Sequence, residues 1–84
     1  MMTPTIHING TNRKNLLEEL EAAFSAVNTA FDVLRQVTVH GRDYYPQGEH
    51  AYGQARTEMD ARLNALSAVA TDLLSMHTAI EEGK

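Results

Sequence analysis

Thirteen consecutive residues concentrate most of the chemistry in this chain. His40-Gly41-Arg42-Asp43-Tyr44-Tyr45-Pro46-Gln47-Gly48-Glu49-His50-Ala51-Tyr52 holds all three tyrosines and two of the four histidines. A turn that only reverses the chain needs four or five small polar residues. This one carries an arginine able to grip a phosphate or carboxylate with two hydrogen bonds. Tyr44, Tyr45 and Tyr52 can stack on a base or another planar group. His40 and His50 can donate to phosphate, and Asp43 and Gln47 can read base or ribose edges. Arg56, one to two turns into the following helix, adds a second cation. The plain alternative stays open: Arg42–Asp43 as a local ion pair, tyrosines plugging the end of a bundle, and Gly41, Pro46 and Gly48 shaping a turn.

A second group, His7, Asn9, Thr11, Asn12 and Arg13, stands before and at the start of the first helical segment. Within one chain it lies a full helix length from the central loop. In an antiparallel dimer Asn9, Thr11 and Arg13 of one chain can close the other chain's loop site. The bland reading of Asn9-Gly10-Thr11 is a turn followed by a helix cap.

The elements that must position these residues are helical. Leu20, Val27 and Leu34 recur every seven residues, as do Leu17, Phe24 and Phe31, and Leu16, Ala23, Ala30 and Val37. Adjoining series of this kind make one broad apolar face on a helix over about 12–39. Gly41 suits the left-handed position that closes a helix end. Tyr52, Met59, Leu66, Leu73 and Ile80 form an unbroken seven-residue series on a second helix over about 49–82. That spacing implies side-by-side packing with slight supercoiling. Thr5-Ile6-His7-Ile8 alternates like a short strand or extended arm within 1–11, and Thr11 is placed to cap the first helix. The predicted fold is all-α: a single domain over 1–84, an antiparallel two-helix hairpin with a short N-terminal extended arm and a loop at about 40–48. Two rods bury only the strip between them, so the exposed remainder predicts a homo-oligomeric helical bundle.

Composition narrows the function classes. Net charge is −4, from 7 basic and 11 acidic residues. A nucleic-acid polymer finds no basic face, and the charge is too mild for a DNA mimic. There is no cysteine, so neither a disulfide nor a thiolate metal site supports the fold. His40, Asp43 and His50 lack standard metal-ligand spacing, and His77 sits alone. No nucleophile stands beside a base, and no Gly-rich phosphate loop is present. No enzyme activity, metal or cofactor is therefore expected. Glu18, Glu19 and Glu21 read as a solvated helix face, and Met59 and Met76 as core filler. No secretory leader and no membrane-length apolar run is visible, which predicts a soluble protein of the host cytoplasm.

Ile6-His7-Ile8-Asn9-Gly10-Thr11 together with Gly41-Arg42-Asp43-Tyr44-Tyr45-Pro46-Gln47-Gly48 resembles small proteins encoded by tailed phages and prophages. The likeness spans most of the chain, and the second motif is its specific part. More loosely, the chain is similar to phage sponge proteins, small helical oligomers that enclose an immune nucleotide between subunits without cleaving it. The resemblance implies an anti-defence protein sequestering a cyclic dinucleotide or ADP-ribose derivative. The neighbouring implications are an anti-CRISPR-like inhibitor of a host defence complex and a phage assembly component.

Overall fold

The computed structural model describes residues 2–5 and 12–83. Among them it is all-helical, with no strand: α1 spans Arg13–Arg35, α2 Gly41–Tyr44, a 3₁₀ turn Tyr45–Gln47, and α3 Ala51–Glu81. Residues 2–5 have no regular structure. The strand or arm expected through Ile6, His7 and Ile8 lies outside the described residues.

Asn12, rather than Thr11, caps α1. Its Oδ1 accepts from the Lys14 N–H at 2.8 Å and the Asn15 N–H at 3.3 Å, filling two of the donors that a helix start leaves open. Apolar side chains at Leu17, Leu20, Phe24, Val27, Phe31 and Leu34 alternate spacings of three and four. They are half-buried, and Leu20 is buried. The third apolar series joins them only at Leu16, which is half-buried; Ala23, Ala30 and Val37 are exposed.

α1 stops at Arg35, before the expected 39. Val37, Thr38 and Val39 are consecutive β-branched residues, which lose side-chain freedom in a helix. His40 then adopts extended backbone (φ −110°, ψ 134°) to start α2. Gly41 is consequently the first residue of α2 and not a left-handed helix terminator. Positive φ falls at Gly48 (117°) and Gly83 (74°). The expected plain loop over 40–48 is instead two short helical turns, with Pro46 in the first turn of the 3₁₀ segment, where its missing N–H costs nothing.

α3 turns Met59, Leu63, Leu66, Ala70, Leu73 and Ile80 inward, and Ile80 is only 3% exposed. Tyr52 was expected on this seam but is 41% exposed, and Ala51 and Ala55 take the inward positions. The cause is the length of α1: Phe31 and Leu66 line one cavity and α1 ends four residues after Phe31, so Tyr52, fourteen residues before Leu66, lies beyond the end of α1.

α1 and α3 pack together, with the start of one beside the end of the other. The Arg13 guanidinium donates to the Ile80 carbonyl at 2.6 Å and also to the Glu81 carbonyl. One level further along, His77 Nε2 lies 3.0 Å from Glu21 Oε1. Phe24 lines one cavity with Leu73 and Leu74, and Phe31 lines another with Leu66. α2 and the 3₁₀ turn fold against each other and against the start of α3. The outcome is a rod of 61 × 20 × 18 Å.

Arg13 satisfies the Glu81 carbonyl at the end of α3 and adds a second donor to the Ile80 carbonyl, which already accepts the Gly83 N–H at 3.0 Å. Its charge also sits at the favourable pole of that helix. Arg13→Ala is expected to lower unfolding free energy in urea by about 1 kcal/mol. Arg13→Lys recovers only part of it, because a point charge cannot bridge two carbonyls as a planar fork does. An unchanged urea midpoint in the alanine variant would remove this clamp from the account.

Candidate functional site

α2 and the 3₁₀ turn make a folded elbow at one end of the rod. His40 builds it. Its Nδ1 accepts the Arg42 backbone N–H at 3.1 Å, capping α2. A ring nitrogen that accepts carries no proton, so in this arrangement Nε2 is the atom left to donate. The Asp43 N–H returns to the His40 carbonyl at 3.1 Å and the Gly48 N–H to the Tyr45 carbonyl at 3.3 Å. The elbow is thus held by its own backbone and leaves most of its functional side chains unused.

Arg42 and Asp43 are both exposed, yet no ion pair joins them; among the described residues the Arg42 guanidinium and the Asp43 carboxylate have no side-chain partner. The local ion pair offered as the plain alternative does not form. Tyr44 is half-buried against the turn and Gln47 is exposed. Tyr45 is 85% exposed. His50 Nε2 lies 3.3 Å from Glu49 Oε1, with both side chains almost fully in solvent. That contact is worth little in water. Tyr52 and Arg56 stand one turn apart on the same side of α3, both exposed. No side chain caps α3, and the Ala51 N–H goes to the Gly48 carbonyl at 3.3 Å.

His40, Arg42, Asp43, Tyr44, Tyr45, Gln47 and His50 thus gather at one end, with Tyr52 and Arg56 on the adjoining helix. Arg13 is at the other end and already engaged. Asn9 and Thr11, the other two residues expected to close the site from a second chain, lie outside the described residues. The described residues contain no group of three His, Cys, Asp or Glu able to hold a metal.

Two shallow cavities lie elsewhere, in series along the α1–α3 seam. One of about 80 Å³ is lined by Leu20, Glu21, Phe24, Leu73, Leu74 and His77. The other, about 240 Å³, lies between Phe24 and Phe31 on α1 and Leu66 and Leu74 on α3, with Asn28, Ser67 and Thr71 around it. The sequence places Leu20, Phe24, Phe31, Leu66 and Leu73 on the apolar helix faces and singles out no role for Leu74. The available signal was Leu74, which belongs to no inward series and is 50% exposed. The Glu21–His77 pair joins residues 56 apart and had no local signature.

Comparison with protein-family models, curated proteins and solved structures finds no match to this chain. Among the described residues no helix is long and apolar enough to cross a membrane.

Proposed function

We propose that this chain is a non-enzymatic binding protein of the phage anti-defence type. In this reading it is an antiparallel helical hairpin that associates with copies of itself and, in the host cytoplasm, sequesters a small phosphorylated, base-containing messenger. A cyclic dinucleotide or an ADP-ribose derivative has the required chemistry. The observation that supports it is Arg42, exposed and without a side-chain partner among the described residues, on the same folded elbow as the exposed ring of Tyr45. A free guanidinium and a free aromatic face are the two groups that a phosphorylated base needs. Arg42 and Arg56 hold phosphate, Tyr44, Tyr45 and Tyr52 stack, and Asp43, Gln47, His50 and the His40 Nε2 make polar contacts.

A second reading is favoured by the open apolar seam: a protein that docks on a host defence complex or on another phage assembly component. Thermal shift against cyclic dinucleotides and ADP-ribose isomers separates the two. Ligand at a hundredfold excess over its dissociation constant stabilises the folded state by about 2.7 kcal/mol, equivalent to roughly 15 °C in a domain of this size. Arg42→Ala removes that shift while leaving helicity intact. A flat panel with the unaltered chain discards the nucleotide reading, and an undiminished shift in Arg42→Ala discards the site.

A further inference from the structure

We infer that the open side of the seam, marked by Phe24, Phe31, Leu66 and Leu74, is covered by a second copy of this chain lying antiparallel to the first. The inference rests on the self-association part of the proposed function and its test needs no ligand at the elbow; Arg56 is the one residue that both readings use.

Area argues for a covering partner. The chain exposes 6394 Å², whereas a compact chain of 9.3 kDa exposes about 5,000 Å² by the usual surface scaling. The excess is on the order of 1,400 Å². A standard interface takes about 800 Å² from each partner, so half of the excess nearly suffices. The radius of gyration agrees: 18.5 Å against about 12 Å for a compact domain of this length.

The place is set by the two cavities, which open in series and share Phe24 and Leu74. Their apolar walls leave Leu74 half in water. Short polar residues around the larger one, Asn28, Ser67 and Thr71, let another helix approach closely. The repeated seam of the partner is the matching apolar strip, as an isologous interface requires.

Charge selects the direction. Among the described residues, the end of the rod where α1 begins and α3 ends carries Glu18, Glu19, Glu21, Asp72, Glu81 and Glu82 against Arg13 and Lys14. The elbow half carries Asp32, Asp43, Glu49, Glu58 and Asp60 against Arg35, Arg42, Arg56 and Arg62. A parallel pair would set the two acidic ends side by side. An antiparallel pair lays each acidic end along the half that holds Arg56, which has no ion-pair partner among the described residues. The register also closes. Glu21 is ten residues before Phe31 and Arg56 is ten residues before Leu66, and Phe31 and Leu66 line one cavity. A two-fold axis at that level therefore brings each chain's Glu21 to the level of the partner's Arg56, about 15 Å from the axis.

The test uses the full chain in the absence of nucleotide, so its failure is separable from failure of the ligand panel. Sedimentation equilibrium of the unaltered chain is expected to give twice 9.3 kDa. Leu74→Glu, at a position half in water in the single chain, is expected to weaken association at least a hundredfold. Arg56→Glu weakens it most at low salt, since added salt screens exposed charges, and adding Glu21→Arg in the same chain restores it. Polarity is read on an otherwise unaltered chain with a nitroxide on Gln54→Cys. Gln54 is twelve residues from Leu66, so antiparallel copies place the two labels about 35 Å apart, and parallel copies place them under about 20 Å. A single subunit at hundred-micromolar concentration, association indifferent to Leu74→Glu, or the short label distance overturns the inference. If Leu74→Glu is unfolded, the Gln54 distance decides.

Discussion

Each tenfold dilution of the proposed dimer is expected to lower its melting temperature by roughly 4 °C. Among the described residues only Leu20, Ala70 and Ile80 are buried. Ordering each residue costs on the order of 1–2 kcal/mol of backbone entropy, and a single helical pair withdraws little apolar surface in return. In the proposed dimer, folding is coupled to covering the seam. For two chains of 84 residues that melt together, about 0.7 kcal/mol of enthalpy per residue gives roughly 120 kcal/mol. Mass action with that enthalpy yields the 4 °C figure. A monomer that folds alone has no such dependence. Circular dichroism melts from micromolar to hundred-micromolar protein read the slope directly. A midpoint constant over that hundredfold range would mean that the solitary rod holds itself together, and the proposed assembly would lose its energetic reason.

What could be read from the sequence follows from what repeats. The series through Leu17, Leu20, Phe24, Val27, Phe31 and Leu34 predicts the inward face of α1, because 3.6-residue periodicity is a local property visible in one chain. The same logic failed at Tyr52. A seven-residue series marks a seam only as far as the facing helix runs, and spacing within α3 does not report where α1 ends. The end of α1 was misplaced because helical spacing was followed into Val37-Thr38-Val39, where β-branching outweighed it. In the candidate site, Arg42, Tyr45 and His50 were legible as chemistry-bearing types in a turn. That His40 would turn its Nδ1 inward as a cap was not, since capping depends on the backbone conformation of a single residue. The Arg13 clamp and the Glu21–His77 pair were beyond reach for a different reason. They join residues more than fifty positions apart, and no periodicity links their types.

Two identical substitutions at the elbow have opposite expected signs. Gly48 sits at φ 117°, ψ 166°, a region that essentially only glycine occupies, where a side chain costs of order 1–3 kcal/mol. A Cβ there would touch nothing within 4 Å, so the penalty is entirely backbone. Gly48→Ala should therefore destabilise the protein by that amount, or relax the turn and swing Tyr45 and Gln47 away from the start of α3. Gly41 has the same empty surroundings but no positive φ, and it occupies the first position of α2. Alanine there restricts the unfolded chain without straining the folded one, an effect worth about 0.4–1 kcal/mol of stabilisation. Urea midpoints of the two variants, measured at one protein concentration, should fall on either side of the parent. Gly41 was expected from sequence to be the left-handed residue, which predicts the reverse order. The ranking of the two midpoints thus decides which glycine bends the chain. It also decides whether His40 and Arg42 are presented by a helical turn or by a helix terminus.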